Sequence, residues 1–250
     1  MKISVTGIVI FEKKLTENSK YIYILTQNLG IISVLLRKSK NKNNINNLVQ
    51  VFSYGDFMLY NNKSGYVLDD FDVKELFFDL RYNLKNLALA QYFCQLIIVL
   101  HPDKEYCYEI LRVFLNCLYY LCNQKKDCRI IKIIFELRIC SVSGYSPDFS
   151  SCEICKKYDM NISYFVIKKS KIFCHNCIKY IKKHKNIKNF SVLNSSSLFC
   201  LRHIIYSPVE NLFSFLISES IINNLINISE SYIKYHVDYD FKALEFYNKI

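Results

Sequence analysis

Cys152-Glu153-Ile154-Cys155 and Cys174-His175-Asn176-Cys177, with eighteen residues between them, decide how the second half of this chain folds. Their spacing falls within the Cys-x2-Cys, about 15 to 20 residues, Cys-x2-Cys pattern of zinc sites. Each pair offers two sulfurs from one tight turn, and two such turns complete the tetrahedral shell that Zn2+ takes in structural sites. With Cys152, Cys155, Cys174 and Cys177 filling the shell, no position remains for a reacting water. One structural Zn2+ is expected, as a clamp on the fold. A redox dithiol is the weaker reading, because a second pair stands at the expected distance. His175 and His184 lie near enough in sequence to replace a sulfur. Glycine, common after the second cysteine of such turns where φ is positive, is replaced here by Lys156 and Ile178.

Outward from the cysteines the sequence reads as helix. Ile130, Ile134, Leu137 and Val142 recur at helical spacing, with Gly144 placed to end the helix and Pro147 just beyond. Two earlier stripes precede them. One runs through Leu76, Leu80, Leu84, Leu87 and Ala88, with Asp72 and Glu75 as its capping pair; the other through Tyr106, Ile110, Val113, Phe114, Cys117 and Leu121. Downstream, helical sequence resumes near Ser195. Ser207-Pro208-Val209-Glu210 reads as a second helix start, continued by Ile221, Leu225, Ile228, Tyr232 and His236. The expectation is a helical domain over 72–250 with the metal module inserted at about 150–185 and held against it.

Residues 1–71 instead alternate in the strand manner. Ile3, Val5, Ile8 and Ile10 lead to a polar turn from Glu12 to Lys20; Tyr21, Tyr23 and Leu25 run to Asn28-Leu29-Gly30; Ile32, Val34 and Leu36 follow. Val49 to Tyr60 gives a fourth strand bent near Gly55, and Tyr66 to Phe71 a fifth. Five short strands with a longer connection after the third match a Greek-key barrel of the OB type, with an SH3-like barrel as the rival. The fold class is therefore α+β and multidomain.

The chain has 250 residues, of which 51% are hydrophobic, enough to build real cores. Its net charge of +11 points to an anionic partner such as nucleic acid or a membrane surface, although a general bias toward Ile, Asn and Lys also raises the lysine count. Of the 11 cysteines, Cys94, Cys107, Cys117, Cys122, Cys128, Cys140 and Cys200 lie mostly in apolar helical sequence and read as small buried hydrophobes kept reduced. The apolar stretch Leu87 to Leu100 is too short for a bilayer, which needs about 20 residues. The N-terminus reads as a strand and not as a signal peptide, so a cytoplasmic protein with no membrane partner is expected. No P-loop, GxGxxG, HExxH or GxSxG pattern occurs, and Asp69-Asp70 with Asp72 reads as a turn, so catalytic residues are not expected.

Two basic regions stand out. Arg37, Lys38, Lys40 and Lys42 follow the third strand directly, at a barrel rim where long cations can track a phosphate backbone; Lys13, Lys14 and Lys20 surround the first turn and extend that surface. Tyr21, Tyr23, Phe52 and Tyr54 are the rings available for base stacking, but alternation alone leaves open which of them face outward. The second region, Lys168, Lys169, Lys171, Lys179, Lys182, Lys183, Lys185 and Lys188, contains no acid and reads equally as a second nucleic-acid surface or as a solvated face.

These ordered features resemble the RecO family of bacterial recombination mediators. The resemblance runs through Val5-Thr6-Gly7-Ile8-Val9-Ile10, Thr26-Gln27-Asn28-Leu29-Gly30, Phe135-Glu136-Leu137-Arg138 to Gly144-Tyr145-Ser146-Pro147 with the four cysteines, and Tyr235-His236-Val237 to Phe246. The chain departs from the family pattern before the second cysteine pair, where Lys168-Lys169-Ser170-Lys171 replaces a usual Gly-Gly. The resemblance implies a DNA-repair protein, not an enzyme, that acts at the bacterial nucleoid. It implies binding of single- and double-stranded DNA, strand annealing, and work with RecR to load RecA onto DNA coated by the single-stranded-DNA-binding protein SSB. It also implies DNA contacts at Lys13, Lys14, Lys20, Arg37, Lys38, Lys40 and Lys42, and a groove in the helical domain for the acidic, apolar SSB C-terminal tail. A protein-interaction adaptor built on a zinc ribbon is the main alternative. A nucleic-acid-modifying enzyme is a second.

Overall fold

A computed structural model describes residues 1–37, 47–63, 65–185 and 189–250. The chain forms two compact units: Met1–Lys125 with Phe241–Ile250, and Lys126–Asp240.

In the first unit five strands close a barrel: β1 (Lys2–Thr16), β2 (Ser19–Thr26), β3 (Ile31–Arg37), β4 (Tyr54–Asn62) and β5 (Gly65–Glu75). Their order is β1-β2-β3-β5-β4, with β4 returning to β1 and β3 meeting β5 in parallel. This is the OB-type arrangement. Closure depends on β1 changing partners near its middle. It pairs with β4 up to Ile8 and with β2 from Gly7 onward, and Gly7 stands opposite Gly55. A Cβ on Gly55 would lie 2.1 Å from the Asp72 carbonyl oxygen, so only glycine lets the strands approach there. The interior is filled by Val9, Ile22, Ile24, Ile32, Val34, Leu36, Val49, Phe57, Leu59 and Phe71, with Phe57 stacked on Phe71 at 4.4 Å.

Two local expectations change. The polar turn between β1 and β2 is confined to Thr16–Ser19, since Glu12 to Lys14 continue the strand pairing against Lys20 to Ile22. Asp72 and Glu75 lie on β5 and do not begin a helix: Asp72 pairs with Asp56 across the sheet, and the Glu75 carboxylate accepts from its own neighbours Leu76 and Phe77. After a short 3-10 segment (Phe78–Tyr82), helix α1 (Leu84–Leu100) starts under the Asn83 side chain, which accepts from the Asn86 N–H at 3.0 Å. It is followed by α2 (Cys107–Asn123). The C-terminal α7 (Lys242–Tyr247) packs back on α1, with Phe241 edge-on to Tyr92 at 5.2 Å. Packing thus groups α1, α2 and α7 in one unit with the barrel.

The second unit begins with α3 (Cys128–Val142), capped by Asp127. It ends at Gly144 (φ +84), where the Tyr145 N–H reaches back to the Cys140 carbonyl at 2.9 Å in a Schellman bond. A three-stranded sheet in the order β7-β6-β8 follows, from β6 (Ile162–Val166), β7 (Lys171–Cys174) and β8 (Ser191–Asn194), with α4 (His175–Lys185) running on from β7. Then come α5 (Ser195–Tyr206) and α6 (Glu219–His236). The helix expected from Ser207 is only a 3-10 turn over Val209–Asn211. The Ser207 hydroxyl pairs with the His203 Nδ1 and gives no forward cap, and α6 begins at Glu219. The sheet is anchored to this unit. Phe165 contacts the Tyr232 ring at 5.7 Å, and the Tyr232 hydroxyl donates to the Tyr145 carbonyl and pairs with the Ser170 hydroxyl. A buried network lies beside it: Lys132 pairs with Glu136 at 2.9 Å and Glu230 at 2.8 Å. Among the described residues no helix is long and apolar enough to cross a membrane.

Candidate nucleic-acid interface and metal centre

Strand alternation sorts the basic residues of the barrel onto two faces. A register shift between Val9 and Phe11 changes the phase of β1, so Val9 enters the interior while Phe11 and Lys13 point outward beyond it. Phe11 then stands opposite Tyr23, and Lys13 opposite Tyr21; on β3, Ser33 and Leu35 continue the two rows, and Arg37 ends the strand opposite Ser19. The Phe11 and Tyr23 rings are 5.6 Å apart. Ile22, between the tyrosines, and Ile24, just after them, are buried in the barrel core, which fixes Tyr21 and Tyr23 on the outer face. One surface therefore carries Phe11, Lys13, Tyr21, Tyr23 and Arg37.

Lys14 and Lys20 face the other way. They are cross-strand partners on the inner side of the β1–β2 hairpin where it extends past the barrel, lining a recess of about 450 Å³ with Glu12, Thr16, Glu17, Ser19 and Leu36. Lys20 is already engaged, donating to Glu12 at 2.6 Å and to the Val49 carbonyl at 2.8 Å. Lys38, Lys40 and Lys42 fall outside the described residues. Of the candidate rings, Phe52 is buried at positive φ (+75), and Tyr54 is half-buried with the Lys74 ammonium 5.8 Å from its centroid. Phe11, 45% exposed, is the ring sequence reading missed. No local pattern announces it, because Ile3, Val5 and Val9 keep one alternation up to the bulge.

The four cysteines converge in the second unit, with all four Sγ atoms within 4.8 Å of one another. Cys155 and Cys174 are 3.7 Å apart, the edge of a tetrahedron with metal–sulfur bonds of about 2.3 Å, which is about 3.8 Å. The donor set can hold a metal ion. The first knuckle is closed by the Lys156 N–H on the Cys152 carbonyl at 2.9 Å, and Lys156 takes φ +57, the conformation glycine would adopt more cheaply. Ile178 needs no such geometry, because Cys177 and Ile178 lie within α4 and Ile178 is buried. Burial pushes the Cys152 thiol up, but N–H groups of Cys174, Cys155 and Ile154 aimed at its sulfur outweigh this and bring it down to about 7. Burial holds Cys177 well above the ordinary thiol value. His175 points elsewhere, its Nδ1 paired with the Tyr164 hydroxyl at 2.9 Å. The other seven cysteines form no disulfide, and five of them are buried.

Residues 81–245 match the family model for the recombination protein O C terminal, and residues 1–77 the model for its N terminal. The chain belongs to the recombination protein O (RecO) family. Among its relatives is the DNA repair protein RecO of Acetivibrio thermocellus, 29% identical over 245 residues, covering 98% of this chain and 95% of the relative. Those of Alkaliphilus metalliredigens (25% identical, 100% of both chains) and Clostridium novyi (25%, covering 93% and 88%) are also similar over nearly their whole lengths. The break between the two RecO models, after residue 77, falls just beyond the end of β5 at Glu75. In this RecO family member the turn before the second cysteine pair is built on Lys168-Lys169-Ser170-Lys171. Ser170 takes φ +52, supported by its N–H on the Ile167 carbonyl at 2.9 Å.

Proposed function

We propose that this chain is a cytoplasmic recombination mediator of DNA repair that performs no bond chemistry. It binds single- and double-stranded DNA, anneals complementary strands and, with RecR, helps load RecA onto SSB-coated strands. The observation that carries this reading is the outward barrel face. There Lys13 and Arg37 accompany the rings of Phe11, Tyr21 and Tyr23, the combination of phosphate-tracking cations and stacking platforms that single strands need. Lys38, Lys40 and Lys42, next in sequence after Arg37, extend the same contact. The SSB tail, acidic and apolar, docks on the helical part. The metal is Zn2+, because an all-thiolate tetrahedral set of soft donors suits that borderline-soft ion and leaves no open position; its role is structural.

Strand annealing with complementary oligonucleotides, with and without SSB, tests the reading directly. Annealing that persists on SSB-coated strands is expected. Binding to single-stranded DNA should weaken with salt at a log-log slope of roughly −2 to −4, for about three to six phosphates neutralised. A protein that neither binds nor anneals in dilute buffer would leave the adaptor reading in its place.

A further inference from the structure

We infer that the cysteine-bearing module carries a second binding face for single-stranded nucleic acid, on the outer side of α4 and the sheet beneath it. Helix α4 buries Ile178 and Ile181 against Val166 and Phe173 and turns Lys179, Tyr180 and Lys182 to solvent. The Lys182 ammonium lies 3.9 Å from the Phe190 ring centroid and 5.8 Å from that of Tyr164, while those two rings meet edge-on at 5.5 Å. Lys169 adds a further cation at the edge of this face, 5.8 Å from the centroid of the buried Phe173 ring, while Tyr180 is the exposed ring on α4. Cations and aromatic rings are therefore interleaved on one surface, the composition that phosphates and unstacked bases together recognise.

Two observations set this surface apart from an ordinary solvated face. No Asp or Glu occurs between Asp159 and Glu210, so the entire stretch that builds the face lacks a carboxylate. The module's carboxylates are used elsewhere: Asp148 holds Lys171 at 2.8 Å, and Glu153 lies within 3.6 Å of Lys171 and 3.4 Å of Lys156. Among the described residues Lys169, Lys179 and Lys182 form no ion pair, and no lysine donates to a cysteine sulfur. Neutralising the thiolate cluster therefore does not account for them. A flexible polyanion does. A face in this unit, additional to the barrel face, gives one molecule two strand-binding surfaces, which is what bringing complementary strands together requires.

The test uses the full-length, metal-loaded protein and a fluorescent oligothymidylate. Wild type is compared with a module variant (Lys169→Ala, Lys179→Ala, Lys182→Ala) and a barrel variant (Lys13→Ala, Arg37→Ala). Loss of three phosphate contacts should flatten the log-log salt slope by about 2 and weaken binding at about 0.1 M salt on the order of 10- to 100-fold. Photocrosslinking with 4-thiothymidine should label peptides containing Tyr164 or Tyr180 in wild type and in the barrel variant. Unchanged metal content and melting temperature exclude a folding defect, and Lys182→Arg should retain binding. If the module variant binds with wild-type slope and no label appears in the module, this inference falls while the barrel reading stands. Loss only in the module variant upholds it and removes the barrel face instead. Absence of binding by wild type overturns both. Capture by phosphatidylserine vesicles that the module variant abolishes, with oligonucleotide affinity unaltered, would make the face a membrane contact and refute the proposal.

Discussion

Phe11→Ala separates stacking from charge on the barrel face. The ring is 45% exposed and touches Tyr23 at 5.6 Å, so its removal from the folded protein forfeits one surface aromatic pair, about 1 kcal/mol. Loss of one stacked base costs about 1–3 kcal/mol in binding, or about 5- to 150-fold in Kd. That loss carries no counterion release, so the plot of log affinity against log salt should move down in parallel. Lys13→Ala with Arg37→Ala should do the reverse and reduce the slope by about 1.4, at about 0.7 per phosphate on a single strand. Fluorescence anisotropy with an oligothymidylate over a salt series reads both quantities from one experiment. Two results refute the reasoning: Phe11→Ala leaving affinity unaltered, or Lys14→Ala flattening the slope as strongly as Lys13→Ala. The second would mean that the strand lies on the inner side of the hairpin.

Wild type should contain about one zinc per chain, and Cys152→Ser should lose it together with cooperative unfolding of the second unit, as metal analysis and calorimetry would record; structural zinc binding is folding free energy. Lys132→Met removes the ammonium facing the fully buried Glu136 and should destabilise by about 3–5 kcal/mol, with Lys132→Met/Glu136→Leu recovering most of it in denaturant titrations. Burial lowers the Lys132 pKa, yet attraction to Glu136 and Glu230 wins and raises it. The stabilisation is therefore fully present below the unfolded lysine value of about 10.4 and is lost only as pH rises through the higher folded value. A Lys132→Met penalty that already fades between about pH 6 and 9 would contradict this sign. Lys156→Gly should stabilise the protein by about 0.5–1 kcal/mol, since φ +57 strains a residue with a Cβ; a lower melting temperature would argue against it.

Much of this was written locally. The cysteine spacing names its own cluster because each Cys-x-x-Cys is a self-contained turn, and the helix end at Gly144 is legible because its positive φ and its capping bond lie within a few residues. Local signals also misled where competing partners were nearby. Ser207 has capping chemistry but meets His203 first, and Asp72 and Glu75 imitate a cap while β5 continues through them.

By itself the sequence determined a five-stranded barrel, helices around a four-thiol cluster, and an excess of positive charge, because periodicity, turn chemistry and composition are properties of neighbours along a chain. Only the tertiary structure decided which cations share a face with rings. A bulge in β1 between Val9 and Phe11 reverses inside and outside for Phe11 to Lys14, placing Phe11 and Lys13 outward beside Tyr21 and Tyr23 and turning Lys14 inward with Lys20. It also decided that α7 returns to α1, a contact between segments far apart in sequence whose formation depends on the whole fold and on no local pattern.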